Sequence, residues 1–278
     1  MVSPPRYVRV DSMWLIVRSH CYIFMVCWIK VKKRIVALCL LLINMPLYAD
    51  DLPECVIVLH GMGRTERSMS KIENRLQDEG YLVWNQRYAS TSEPIAELSD
   101  SAIGEGLEFC AHKQVRTINF VTHSLGGILV RYYLQDRNIE TLGRIVMLAP
   151  PNQGSEVVDA LDEYSLYANV MGPAGMALGT GQDSLLNQLQ PIAGEIGIIA
   201  GNISSDPWFS PIIPGPDDGK VSVERAKLAE MSDFIVVDSG HTFIMRDSEV
   251  IDQIVNFLHE GKFNPRSPSP DSSCCEGR

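Results

Sequence analysis

Short, continuous apolar runs alternate with longer amphipathic stretches along most of the chain. Runs with so little polar alternation are typical of parallel strands that are covered on both faces. The predicted strands are Cys55–Leu59, Tyr81–Trp84, Thr117–Thr122, Arg144–Leu148, Ile196–Ala200 and Phe234–Val237. The predicted helices between and after them are Arg67–Glu79, Ile95–Lys113, Leu125–Gln135 and Asp247–Glu260. This alternation predicts an α/β fold, a mostly parallel sheet with helices on both faces.

Two segments interrupt that rhythm. Residues 152–190 are rich in glycine and alanine with scattered large apolar residues, and residues 202–220 are rich in proline and glycine. Loops of this length in a compact domain are usually functional or mobile. The apolar residues of 156–181 are hard to assign to the core, so we expect a small movable cap over an apolar groove. The alternative is a fixed element that packs on the sheet.

The first 49 residues do not have the pattern of a folded domain. A basic stretch, Lys30–Arg34, precedes a short apolar run, Ile35–Ile43, and a small residue, Ala49, closes the segment. This order predicts a secretory signal peptide, because the run is too short to span a bilayer. A buried core helix fits less well, since lysines adjoin the run directly. We further hypothesise that translation begins at Val31, and we expect an exported, periplasmic or secreted protein.

Charge narrows the function classes. The chain has 278 residues and a formal charge of −10, but its first 49 residues hold seven of the 24 basic and one of the 34 acidic residues. The remainder, with 17 basic against 33 acidic residues, repels phosphate backbones, which excludes a nucleic-acid role. No phosphate-cradling loop or dinucleotide motif is present, so no cofactor is implied, and no clustered ligand set suggests a metal. The domain is predicted over 53–262, followed by a polar, disordered tail over 263–278.

Four cysteines remain beyond the predicted signal peptide: Cys55, Cys110, Cys274 and Cys275. Export makes a disulfide between Cys55 and Cys110 feasible, because this is the pair inside the predicted domain. Two buried free thiols are the alternative, since connectivity is not readable from sequence.

The strongest local motif is Thr122-His123-Ser124-Leu125-Gly126-Gly127, between a predicted strand and a predicted helix. A serine on such a sharp turn exposes its hydroxyl above the sheet at a helix N-terminus, which makes Ser124 the candidate nucleophile. Thr122 stands where glycine is usual, and β-branched residues resist strained turns. The alternative is an ordinary turn with an incidental serine.

A nucleophilic serine needs a base and an acid that orients the base. His241 directly follows a predicted strand, at the sheet edge where catalytic groups gather, whereas His259 lies inside the closing helix. We therefore predict His241 as the base. Asp218 is the preferred acid because Gly219 allows a tight turn behind it. Asp217 is the near competitor, and Asp238 is disfavoured because it lies only three residues before His241.

The oxyanion formed in acyl transfer needs two backbone donors. We predict the amide of Leu125, at the positive end of its helix, and that of Met62 in the loop His60–Gly63. His60 is interpreted as structural, with a direct substrate contact as the alternative. His123 is predicted to pack or hydrogen-bond while pointing away from the site.

These residues also carry a family resemblance, over about Pro53–Lys262. The pieces that carry it are VIVLHGMGR, VTHSLGGILVR, MLAPPNQGS, DDGKVSVERA and SGHTFIM. Together they resemble α/β-hydrolases, most of all bacterial triacylglycerol lipases and the inositol-deacylase-like esterases of glycolipid processing. The resemblance implies Ser124, His241 and Asp218 as the triad, Met62 and Leu125 as the oxyanion hole, and a cap at about 152–190.

The expected function is a serine carboxylic-ester hydrolase, of lipase or esterase type, that works through an acyl-enzyme. Its partner would be an ester or lipid substrate, with transient contact to a lipid surface. An acyltransferase on the same scaffold is one alternative. A non-catalytic binding protein is another, disfavoured because every catalytic position holds a competent residue.

Overall fold

A computed structural model describes residues 52–162, 165–204, 206 and 208–265. The predicted signal peptide, the Val31 start, Cys274 and Cys275 lie outside the described residues. Within them, no helix has both the length and the apolar character needed to cross a membrane.

A six-stranded parallel sheet forms the centre of the domain, in the order β2-β1-β3-β4-β5-β6. The strands are β1 Glu54–Leu59, β2 Leu82–Asn85, β3 Thr117–His123, β4 Leu142–Leu148, β5 Glu195–Gly201 and β6 Asp233–Val237. Each predicted strand is present, with ends that differ by at most two residues. The α/β prediction is confirmed.

Helices connect the strands and cover the sheet. They are α1 Ser70–Asp78, α2 Ile95–His112, α3 Leu125–Tyr133, α4 Glu156–Leu161, α5 Ser165–Met176, α6 Leu185–Gln188 and α7 Ser248–Glu260. Short 3-10 segments lie at Glu66–Met69, Ser210–Ile212 and Ile244–Arg246. The helix predicted over Arg67–Glu79 therefore begins with a 3-10 turn before α1.

Side chains of β1 show how the sheet is buried on both faces. Cys55, Ile57 and Leu59 belong to one apolar cluster, together with residues of α2 and α3. Val56 and Val58 belong to a second cluster, with residues of α1 and α7. Because successive side chains of a strand point to opposite faces, a continuous apolar run is what a doubly covered strand requires.

A disulfide joins Cys55 in β1 to Cys110 in α2, with their Cα atoms 5.9 Å apart. Both residues are fully buried. Of the two alternatives for this pair, the bridge is the one that the structure contains.

The domain extends past its predicted end at Lys262. Phe263 is buried, its ring lies 4.9 Å from that of Phe257, and its amide donates to Asp233 Oδ2 at 2.7 Å. The predicted tail therefore begins later than residue 263, and its residues beyond 265 lie outside the described ranges.

Candidate active site

The turn at Ser124 joins β3 to α3 with a backbone that side chains rarely adopt, φ 53° and ψ −120°. Its amide donates to the Leu148 carbonyl at 2.9 Å, which ties the turn to β4. Gly126 is required by the close approach of β1, because a Cβ there would lie 2.8 Å from the Leu59 carbonyl oxygen. The turn presents Ser124 at the carboxyl edge of the sheet, with little of it exposed.

Thr122 does not take part in that strained turn. It lies inside β3, paired with Met147 of β4, and is fully buried. An extended strand favours a β-branched residue, so threonine in place of the usual glycine is compatible with the turn. The strain falls on Ser124 alone.

His241 lies between Ser124 and Asp218. Its Nδ1 is 2.8 Å from Asp218 Oδ2, and its Nε2 is 3.1 Å from Ser124 Oγ. A carboxylate only accepts, so Nδ1–H donates to Asp218, which leaves Nε2 to accept from the Ser124 hydroxyl. The structure thus brings together the three residues predicted as nucleophile, base and acid, in the order that acyl transfer needs.

The two neighbouring aspartates have different partners. Asp218 Oδ1 accepts the amides of Lys220 at 3.0 Å and Val221 at 2.8 Å, while its second oxygen faces His241. Asp217 Oδ1 instead accepts the amide of Gly219 at 2.7 Å and the Ser210 hydroxyl at 2.8 Å. Asp217 thus bonds within its own turn, and Asp218 bonds to the histidine.

Of the two residues predicted as oxyanion donors, one directly follows Ser124 and the other lines the pocket that contains it. Leu125 is the first residue of α3, and the side chain of Met62 lines the pocket over Ser124. In the loop after β1, the Gly63 amide donates to Ser90 Oγ and the Arg64 amide to the Gly61 carbonyl. No acceptor for the Met62 or Leu125 amide lies among the described residues, which leaves both available to a ligand.

No family model and no curated protein matches this sequence. Solved structures are similar to it in fold. The lipase BlEst2 of Bacillus licheniformis in its mature form gives a TM-score of 0.60 at 18% identity, covering 77% of this chain and 94% of that one. In its propeptide form the TM-score is 0.65 at 17% identity, over 81% of this chain and 53% of that one. A thermophilic esterase from Thermogutta terrifontis gives 0.51 at 12% identity, over 76% and 91% of the two chains.

The chain has the α/β-hydrolase fold. Within this fold, His60 fits the structural interpretation made from the sequence, not the alternative of a direct contact to substrate. The His60 ring is fully buried and stacks on that of Tyr88 at 4.0 Å. Its Nε2 accepts the Tyr88 amide at 3.3 Å, so Nδ1 carries the proton that it donates to the Gly61 carbonyl at 2.9 Å. Burial lowers the pKa of His60 and keeps the ring neutral.

The prediction that His123 points away from the site is wrong. Its ring lines the pocket, lies 5.0 Å from the ring of His241, and its Nε2 is 3.0 Å from the His241 carbonyl oxygen. The strand alternation that would separate it from Ser124 ends at this residue, where β3 ends and the strained turn begins. His123 therefore hydrogen-bonds, as predicted, but it supports the loop that carries His241.

A pocket of about 140 Å³ opens above Ser124 in this α/β-hydrolase fold. One wall comes from 152–190 and is apolar, formed by Val157, Val158, Met171 and Leu178. Other lining residues are polar or charged, including Arg64, Lys220 and Thr242. Among the described residues, no group of three His, Cys, Asp or Glu side chains could hold a metal ion.

The cap segment packs closely on the rest of the domain. Gly172, at φ 66° and ψ −177°, kinks α5 so near the Thr91 backbone that a Cβ would lie 1.8 Å from the Thr91 oxygen. Val158, Ala174 and Leu178 are buried in the same apolar cluster as β1. Residues 152–190 thus line the pocket and also pack on the core, and their movement stays a prediction.

Arg64 and Lys220 were not singled out from the sequence. Lys220 Nζ lies 3.6 Å from Asp206 Oδ2 and 4.1 Å from the Phe209 ring centre. A sequence signal for both existed, since Arg64 follows Met62 by two residues and Lys220 follows Asp218 by two.

Proposed function

We propose that this protein is a serine hydrolase that cleaves carboxylic esters through an acyl-enzyme. One observation carries the proposal: the hydrogen-bonded series Asp218, His241 and Ser124 at the floor of a partly apolar pocket. The likeness in fold to lipases and esterases supports an ester as the bond attacked.

In the proposed first step, His241 Nε2 takes the hydroxyl proton while Ser124 Oγ attacks the ester carbonyl. Asp218 keeps the ring oriented and stabilises its cationic form. The amides of Met62 and Leu125 donate to the oxyanion, and the positive end of α3 adds to that stabilisation. His241 then passes its proton to the departing alcohol, leaving the acyl group on Ser124.

Water completes the second step. His241 takes a proton from a water molecule, the resulting hydroxide attacks the acyl carbonyl, and the proton returns to Ser124 Oγ as the acid leaves. The hydrolysis consumes one water and releases one alcohol and one acid, with no cofactor.

A fluorophosphonate probe tests the nucleophile directly. We expect the folded protein to form one covalent adduct, which peptide mass spectrometry locates on Ser124. Protein that is folded by circular dichroism but does not react would contradict the proposed function.

We also propose that the substrate carries an acyl chain of medium length, because the wall formed by the cap segment is apolar. Each buried methylene can add up to ~0.8 kcal/mol of binding. The pocket, at about 140 Å³, is smaller than the ~300 Å³ of typical ligand sites, so a longer chain requires the cap segment to move. We expect p-nitrophenyl octanoate to exceed the acetate in kcat/KM. Equal or better turnover of acetate would mean that 152–190 is a fixed wall and the protein a small-ester esterase.

We also propose that the protein works outside the cytoplasm. The Cys55–Cys110 disulfide supports this, because such bridges persist in oxidising compartments. Sequencing the N-terminus of protein from culture medium or periplasm should find a start near Asp50. A peptide from residues 1–29 in the cellular protein would contradict the Val31 start.

A further inference from the structure

A second, polar cavity of about 460 Å³ adjoins the loop that carries Met62. Residues 63–65, after β1, form one side of it, and residues 87–92, after β2, form the other. These loops adjoin because β1 and β2 are paired in parallel, so both strands end at the same edge of the sheet.

The lining of this cavity matches an anion. It contains two arginines, Arg64 and Arg87, and four serine or threonine residues, Thr65, Ser90, Thr91 and Ser92. None of its lining side chains is a carboxylate. This lining departs from the composition of the whole chain, which has ten more acidic than basic residues.

The two arginines also differ from most others in the described part of the chain. Six arginines there form ion pairs with carboxylates, namely Arg67, Arg75, Arg116, Arg137, Arg144 and Arg225. Arg64 and Arg87 form none with any described residue, and both are exposed. Their donors are therefore available to a ligand.

Arg64 connects this cavity to the reaction centre. It lines the polar cavity and also the pocket above Ser124. The same pocket is also lined by the apolar side chains of Val157, Val158 and Leu178. A substrate whose ester lies at Ser124 can thus place its apolar acyl chain against the cap and its alcohol portion against Arg64.

We propose that the polar cavity binds an anionic group on the alcohol portion of the substrate, a phosphate or a carboxylate, through Arg64 and Arg87. This rests on the proposed ester hydrolysis and narrows its substrate class to acidic amphiphilic esters. The planar guanidinium suits such groups because it donates two parallel hydrogen bonds to a pair of oxygens.

Two matched esters test the proposal: 1-octanoylglycerol and its 3-phosphate, compared below their micelle concentrations. We expect the phosphate ester to have the higher kcat/KM, with a preference that weakens as salt is added. The ratio of the two kcat/KM values should fall about tenfold in Arg64→Gln and in Arg87→Gln, the effect of losing one charge-assisted hydrogen bond. Using the ratio cancels any general loss in a variant.

Arg67→Gln is the matched control. Arg67 follows the same loop, its side chain is 91% exposed, and it does not line the cavity. We expect its ratio to equal that of the parent.

Inorganic phosphate, added as an inhibitor, separates a substrate subsite from a free-anion site. Inhibition that is lost in Arg87→Gln, without any preference for the phosphate ester, would overturn the proposal in favour of a free-anion site. Hydrolysis of the neutral ester with an unchanged ratio in both variants would overturn it as well while leaving ester hydrolysis intact. Failure to hydrolyse either ester would instead overturn the proposed function itself.

Discussion

The sheet edge and the cap segment are built by different forces. At the edge, Ser124, Asp218 and His241 are held by short, directional hydrogen bonds, many of them from backbone amides. Residues 152–190 also form hydrogen bonds, but they add apolar burial in the core cluster and close backbone approach, as at Gly172. In the proposed function, the chemistry depends on the first set of contacts and the choice of substrate on the second. Perturbing each region separately should therefore affect different quantities.

The largest effect should follow removal of the proposed nucleophile, Ser124. Ser124→Ala should reduce kcat for p-nitrophenyl octanoate by about 10⁴-fold or more, with little change in melting temperature, because only a hydroxyl at a turn is lost. Ser155→Ala is the counterpart on the cap side, where that hydroxyl donates to the Lys220 carbonyl at 2.6 Å. Its loss should lower kcat by less than tenfold. Comparable losses in both variants would mean that the two regions are not separable.

The next effect distinguishes the adjacent aspartates. Asp218→Asn should lower kcat by about 10³-fold or more, because the His241 ring loses the carboxylate that fixes its tautomer. Asp217→Asn should change it far less, since the oxygen that accepts from Gly219 and Ser210 is retained in the amide. Kinetics of both variants on one ester measure the ranking, and the reverse order would assign the orienting role to Asp217.

Much of the sheet edge could be predicted because its rules are local. Apolar runs determined the strands, and the chain order of Ser124, Asp218 and His241 follows from a fold in which parallel strands end at one edge. The orientation of His123 was missed because it depends on the loop that carries His241, which comes from a distant part of the chain.

The cap could not be predicted in the same way. Its helices are short, and Gly172 and Pro173 interrupt the pattern that would mark a longer one. The position of α5 is determined by contacts of Gly172 with Thr91 and of Gly175 with Met62, which lie about 80 to 110 positions earlier in the chain. The polar cavity was missed for a related reason: Arg64 and Arg87 are uninformative singly, and only the pairing of β1 with β2 brings their loops together.

Reduction of the Cys55–Cys110 disulfide, which joins β1 to α2, should destabilise the domain through its sheet rather than through the cap. The bridge spans 55 residues, a loop worth about 4 kcal/mol of unfolding free energy in the chain-entropy model. For a domain of this size, that corresponds to a fall of about 10 °C in melting temperature. Calorimetry with and without reductant measures it. Thiol labelling of denatured, unreduced protein that found both cysteines free would contradict the bridge.

A smaller and more local effect is expected in the cap. Gly172→Ala should lower the free energy of unfolding by about 2 kcal/mol. The residue adopts a glycine-only conformation, and its Cβ would overlap the Thr91 backbone. We expect KM for the octanoate ester to rise, with kcat for acetate little changed. Gly181→Ala is the control, since it lies in the same segment with no atom within 4 Å of its Cβ position. Equal kinetic effects of both variants would remove Gly172 as the point that holds the cap.

The smallest effect is a pH dependence that should act on the sheet edge alone. Burial, followed by the neighbouring charge of His241, lowers the pKa of His123 well below the ordinary 6.5, and burial also lowers that of His60. Below about pH 6.5 the unfolded chain binds protons that the folded chain does not, so the free energy of unfolding should decrease as the pH falls from 7 to 5. The cap, residues 152–190, contains no histidine and should not contribute to this slope.

Structure gives the reason that His123 resists protonation. Its Nε2–H donates to the His241 carbonyl, and its Nδ1 is buried beside Gly61 without a hydrogen-bond partner among the described residues. A proton on Nδ1 would place a buried charge with nothing to accept from it. His123→Asn should therefore flatten the dependence of unfolding free energy on pH between 7 and 5, as measured by urea denaturation at each pH. His112→Asn, at a side chain that is 76% exposed, should leave the slope of the parent unchanged. If the His123 variant keeps the full slope, the acid sensitivity originates elsewhere in the domain, with His60 as the next residue to substitute.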